Sequence, residues 1–168
     1  TGEYLKYLND DDLLMPYCVS KMVKGFEIDK TVKLVFSKRN RIDEQGNLLK
    51  YEGPQLRCEK NTVMNGLELG ELILVNSINL IGEPTTVMFR KRDISIENDN
   101  IFEIAGIKYH CFADVSLWLR LLAKGNSYYI NENLTSYRVH SGQEQRKPHV
   151  AIKCLTERFN ILMPSRSL

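Results

Sequence analysis

The chain has 168 residues, enough for one domain with a sizeable core; 43% are hydrophobic and 26% charged. Its 23 basic and 21 acidic residues leave a net charge of +2, so nothing in the balance asks for a nucleic-acid partner. No apolar run reaches the roughly 18 residues that would span a bilayer and no signal peptide is present, which predicts a cytoplasmic location.

Tyr4, Leu5, Tyr7 and Leu8 have the aromatic and branched composition of a strand over Tyr4–Leu8. Asn9 and three consecutive aspartates, Asp10, Asp11 and Asp12, follow it directly. Like charges this close raise one another's pKa, and a hard divalent cation relieves the repulsion. The alternative is that Asp12 caps the helix opening near Pro16 while its neighbours are solvated. In that helix Met15, Cys18, Val19, Met22, Val23 and Phe26 recur at spacings of three and four. Thr31–Ser37 reads as a strand, Asp43–Asn47 as a turn and Leu67–Val75 as a helix. Thr85–Phe89 reads as a strand entered through Pro84. Leu117, Trp118, Leu121 and Leu122 mark a helix that starts near Asp114 and stops at Lys124-Gly125, with Trp118 in the core. Ser127–Asn131 and Leu134–Val139 read as two strands joined by the polar turn Asn131-Glu132-Asn133. A last helix covers Pro148–Leu162, with Ala151, Leu155, Phe159 and Leu162 on its apolar face. The alternation of strands and helices predicts an α/β class.

Cys18, Cys58, Cys111 and Cys154 form no C-x-x-C pair, so the pattern argues against zinc and for buried, reduced thiols. Lys38-Arg39-Asn40-Arg41 reads as a solvated loop or strand end. Arg90-Lys91-Arg92 suggests contact with phosphate or an anionic membrane surface.

Five segments together resemble a family 2 glycosyltransferase with the GT-A fold. G-E-Y-L-K-Y-L-N-D-D-D-L-L-M-P at the start is similar to that family's strand, acidic D-x-D cluster and following helix. V-K-L-V-F-S-K-R-N-R-I-D-E-Q-G-N-L resembles its next strand and polar hairpin, and G-E-P-T-T-V-M-F-R-K-R-D-I its acceptor-side segment. A-D-V-S-L-W-L-R-L-L-A-K-G resembles the helix whose leading Asp is the catalytic base, and Y-I-N-E-N-L-T-S-Y-R-V-H-S the strands after it. The resemblance implies one partial catalytic domain over residues 1–168, a mixed sheet flanked by helices. The family's N-terminal nucleotide-binding βαβ half would lie before Thr1, and the isolated chain would self-associate through its first, unpartnered strand.

The implied roles are specific. Asp114 is the catalytic base, and Asp11 holds Mg²⁺ or Mn²⁺ with Asp10 or Asp12 assisting. Asn9, where the family has Asp, contacts the nucleotide beside Asp10, and His140 meets the diphosphate or the metal. Ala113 stands where many members carry Glu. The implied reaction moves a sugar with inversion from a nucleotide-sugar donor, a UDP-sugar by preference, to a carbohydrate or lipid-linked acceptor. It belongs to surface polysaccharide or glycan synthesis, with peripheral association at the inner face of the membrane. Two other classes remain open: a non-catalytic carbohydrate-binding or assembly module descended from such an enzyme, and a metal-dependent phosphohydrolase. The phosphohydrolase lacks a second carboxylate or His cluster at ligand spacing. The Q-x-x-R-W motif of processive synthases is only half matched, since Lys147 replaces the Trp in Gln143–Lys147.

Overall fold

A computed structural model describes residues 2–50, 53–54, 56, 58–94, 103–104, 107–143 and 148–162. It is a mixed α/β structure. Strands β1 (Tyr4–Lys6), β2 (Leu13–Leu14), β3 (Val32–Ile42), β4 (Leu48–Leu49), β5 (Thr62–Met64), β6 (Val87–Arg90) and β9 (Asn126–Arg138) share one sheet. Its order is β1-β6-β3-β9-β2, with β4 paired to β3 and β5 to β9. β3 and β9 run parallel at the centre and every other pairing is antiparallel. β7 (Glu103–Ile104) and β8 (Ile107–Lys108) form a separate two-stranded ribbon.

Helix α1 (Cys18–Ile28) covers one face of the sheet, burying Cys18, Met22 and Phe26 against Val35, Met88, Ile130 and Leu134. Helices α2 (Gly66–Asn76) and α3 (Ala113–Leu122) cover the other. There Leu69, Ile73, Trp118, Leu121 and Leu122 pack on Leu34, Phe36, Phe89 and Tyr129. Strand side chains alternate between faces, so Leu34 and Phe36 go one way and Val35 the other. Val32 nevertheless joins Val35, because the register slips by a residue between Val32 and Leu34 and flips the face. Trp118 is in the core, only 1% exposed.

α2 begins at Asn65, whose side-chain oxygen accepts from the amides of Leu67 (2.9 Å) and Glu68 (3.2 Å). Its start lies so close to the end of α3 that a Cβ on Gly66 would sit 1.9 Å from the Gly125 carbonyl oxygen. The Asp43–Asn47 turn forms as expected: Asp43 Oδ1 accepts from the amides of Gln45 and Asn47, and Gly46 takes φ +91°.

Several expectations give way. The two strands expected at Ser127–Val139 are one strand, β9. Asn131-Glu132-Asn133 is a bulge, because β3 passes from Ser37 opposite Ile130 directly to Lys38 opposite Asn133. Asn131 is tied at this point to the neighbouring loop, its amide donating to Asn61 Oδ1 and its side chain to the Glu59 carbonyl. Thr85 and Thr86 belong to a 3₁₀ turn over Pro84–Thr86, not to the strand, which starts at Val87. Of the two readings given for Lys38–Arg41, the strand end holds: these residues are half-buried near the end of β3. Arg90 is buried: it donates to the Val32 and Phe26 carbonyls and stacks 4.4 Å over the Phe26 ring, so it is not available to phosphate or membrane.

Helix α4 (Pro148–Leu162) forms where expected, but its buried side differs. Leu155 is exposed, Glu157 is buried, and Ile161 packs on the α2–α3 core. The side chains of Ala151, Phe159 and Leu162, and residues 144–147, lie outside the described set. Cys111 and Cys154 are joined as a disulfide, which corrects the expectation of four reduced thiols; Cys18 and Cys58 are free. A separation of 43 residues carries no pairing signal in sequence, and only the docking of α4 brings the two together. No described helix is long and apolar enough to cross a membrane.

Candidate functional site

The acidic loop leaves β1 at the sheet edge and is held mainly from behind. Asp12 is 5% exposed. Its Oδ2 accepts from Thr85 Oγ1 (2.6 Å) and Asn9 Nδ2 (2.9 Å), and its Oδ1 from the Arg138 amide (2.9 Å). With both oxygens engaged inside the protein, Asp12 is more enclosed than Asp10 and Asp11, which line the cleft. It is not the cap of α1, since Tyr17 occupies that position without a side-chain cap. Arg138 clamps the same loop: its guanidinium donates to the carbonyls of Asp11 (2.8 Å), Asp43 (2.8 Å) and Glu44 (3.0 Å). Lys6 lies beneath and donates to the Tyr7 and Thr85 carbonyls. Burial lowers its amine to about 8, while the charges of Cys18 and Asp12 oppose that shift.

With Asp12 turned inward, its neighbours face out. Asn9, Asp10 and Asp11 line an open cleft of about 420 Å³, together with Glu83, Pro84, Asp114, Tyr137 and His140. Gly142 and Gln143 complete its rim. His140 Nε2 lies 3.0 Å from Asp11 Oδ2. The fold thus brings Asn9, Asp10, Asp11, Asp114 and His140 to one place, although they come from three distant segments.

Asp114 is the second residue of α3, whose N-cap position is Phe112 rather than Asp114. Its Oδ1 accepts from the Val115 amide (2.7 Å) and its Oδ2 from Asn79 Nδ2 (3.1 Å). Burial drives its carboxyl up to about 6; the Val115 amide pulls it down, the Glu83 charge pushes it up, and the Asn79 amide lowers it again. Such a carboxyl is anionic at neutral pH yet basic enough to take a proton.

The wall facing Asp114 is the turn 79–83. Asn79 Oδ1 accepts from the Ile81 (3.2 Å) and Gly82 (2.9 Å) amides, while Asn79 Nδ2 and Trp118 Nε1 both donate to the Gly82 carbonyl. Gly82 has φ +112°, and a Cβ there would lie 2.6 Å from an Arg39 nitrogen, so no other residue fits. Next to it, Glu83 pairs with Arg39 at 2.6 Å. Neither Asn79 nor Glu83 stood out in sequence; the turn chemistry of Asn79-Leu80-Ile81-Gly82 was the available signal. Thr85, read as a strand residue, was hidden in the same way.

The start of α3 is held from outside the cleft. Glu157 of α4 accepts from the amides of His110, Cys111 (2.7 Å) and Phe112 (3.2 Å), placing a buried anion at the helix N-terminus.

Among the described residues no three His, Cys, Asp or Glu side chains stand close enough to hold a metal by themselves. Asp11 and His140 fit two adjacent positions of a shell: octahedral bonds of about 2.1 Å separate neighbouring donors by about 3 Å, the spacing of this pair. Carboxylate oxygen and imidazole nitrogen together suit Mn²⁺ better than an all-oxygen ion. No protein-family model matches the chain, and a comparison with curated proteins finds no significant match.

Proposed function

We propose that the chain is the metal- and acceptor-side part of a GT-A-type glycosyltransferase catalytic domain, transferring sugar from a nucleotide-sugar donor to a carbohydrate or lipid-linked acceptor. The observation that carries this reading is the meeting of the acidic loop, His140 and Asp114 around one open cleft. Asp11 and His140, with Asp10 beside them, would hold Mn²⁺ or Mg²⁺, which supplies Lewis-acid stabilisation of the leaving diphosphate. Two protein donors leave the rest of the shell to phosphate and water, so cation and diphosphate bind each other's site cooperatively. Asn9 is placed to hydrogen-bond the nucleotide. Asp114 accepts the proton of the attacking hydroxyl, and the width of the cleft leaves room for an acceptor chain. A family 2 activity accords with the order of the motifs, and a membrane-peripheral setting with a lipid-linked acceptor, while the Cys111–Cys154 disulfide argues against a reducing compartment.

Calorimetry on the protein carrying this chain should show Mn²⁺ binding strengthened by UDP, and Asp11→Ala should abolish the strengthening. Transfer should fall by about 10²-fold or more in Asp114→Asn. In the wild type the rate should climb with pH through a midpoint near 6, as Asp114 loses its proton. Undiminished transfer in Asp114→Asn would remove the base. Carbohydrate binding without any Mn²⁺–UDP coupling would favour the non-catalytic module, a reading supported by the inward turn of Asp12.

A further inference from the structure

We propose that Asn79 is the positioning residue of this cleft, fixing the Asp114 carboxylate on the cleft wall and favouring its anionic form. The inference rests on the reading of Asp114 as the base. Asn79 spends every polar atom of its side chain. Its oxygen closes the turn on the amides of Ile81 and Gly82, and its nitrogen is divided between the Gly82 carbonyl and Asp114 Oδ2. A turn needs only the oxygen, through an Asx-type closure. The donor side is what reaches α3, 35 residues further along the chain.

The geometry has a chemical consequence. Asp114 is half-buried, and the other ionisable groups in its cleft are Glu83 on the turn of Asn79, Asp10 and Asp11 on the acidic loop, and His140 after β9. Arg39 of β3 reaches Glu83, and Glu157 of α4 addresses the amides of residues 110–112 rather than the carboxylate. Three carboxylates therefore share the cleft with Asp114, and the nearby Glu83 charge disfavours its ionisation. The donors to Asp114 are the Val115 amide and its own amide, both fixed by α3, and Asn79. Asn79 is thus the one that a side-chain substitution can remove. Its loss would free the carboxylate to rotate and leave it protonated to higher pH.

Asn79→Ser isolates this role, because it keeps a short turn-closing oxygen for the Ile81 and Gly82 amides but has no amide donor for Asp114 and adds no charge. Asn79→Asp, which also keeps that oxygen, serves as the second variant, its new carboxylate adding like-charge repulsion to the loss of the donor. The measurement is the ¹³C carboxyl titration of Asp114 in metal-free protein, assigned by its disappearance in Asp114→Asn. The expected result is a titration midpoint raised by about one pH unit or more in Asn79→Asp and by a smaller amount in Asn79→Ser. The acid limb of the transfer rate should move with it, so that the rate at pH 6 falls severalfold more than the rate at pH 8. A midpoint within about 0.2 unit of wild type in Asn79→Ser, with only thermal stability lowered, would reduce Asn79 to a turn residue and overturn the proposal even if Asn79→Asp is shifted by its added charge. A raised midpoint combined with full transfer in Asp114→Asn would instead leave the positioning intact and remove the base, so the two failures are distinguishable.

Discussion

Asp11 and Asp12 are consecutive aspartates with opposite surroundings. Asp11 lies in the cleft 3.0 Å from His140 Nε2. Asp12 accepts the Asn9 side chain, the Thr85 hydroxyl and the Arg138 amide, and is almost fully buried. Removing a buried acceptor leaves its donors without partners, which costs more than the bonds themselves contributed. Asp12→Ala should therefore destabilise the fold by roughly 2–4 kcal/mol in denaturant titration. Asp11→Ala should shift stability by less than about 1 kcal/mol, since surface pairs contribute little. Equal losses in the two variants would mean that the loop is not anchored through Asp12. The aspartate run showed only that carboxylates are concentrated here. Which of them faces solvent depends on Thr85 and on Arg138, which lie 73 and 126 residues downstream.

Among the elements, α4 is tied to the site more closely than its distance in sequence suggests. Cys154 bonds Cys111, and Glu157, one turn further along the helix, caps the amides of residues 110–112 just before α3. Both ties meet the chain within four residues of Asp114. Cys154→Ser should lower stability by about 2–4 kcal/mol, from the entropy returned to the unfolded chain. Glu157→Gln keeps acceptor capacity but removes the charge at the helix N-terminus, and should cost about 1 kcal/mol. Thermal melts with and without reductant check the first, since reductant should destabilise the wild type and leave Cys154→Ser unchanged. The periodicity of Pro148–Leu162 announced a helix and pointed to Leu155 as inward. Glu157 is buried instead, because three unpaired amides offer a carboxylate more than the core offers an exposed leucine.

At the scale of the molecule, the sheet of described residues ends at β1 and β2, and among them β1 pairs with β6 alone. Tyr4 packs on the α1 side and Leu5 on the α2–α3 side, so this short edge strand is anchored on both faces while no described strand covers its other backbone edge. Tyr7 and Leu8 follow it exposed. An open edge beside exposed apolar side chains is a template for strand pairing. The chain 1–168 should show rising mass with concentration in light scattering, together with slowed amide exchange at Tyr4–Lys6. A constant monomer mass at high concentration would rule this out.

Local sequence carried most of the elements. The three-and-four spacing of α1, the strand composition of β3, the Asp43–Asn47 turn and the apolar face of α3 each express an interaction within a few residues, which is why they were legible. Asn9 to Asp11, Asp114 and His140 were nominated by the resemblance, and the structure brings these five residues to one cleft. Tertiary contact decided everything that depended on a distant partner. It made Asn131-Glu132-Asn133 a bulge rather than a turn, because β3 runs continuously beside it. It buried Arg90 under Phe26, joined Cys111 to Cys154, and turned Asp12 inward. It also supplied Glu83 to the cleft and Asn79 to the carboxylate of Asp114. Burial and the choice of hydrogen-bond partner are properties of a residue's surroundings, and in this chain those surroundings are assembled from segments up to 129 residues apart.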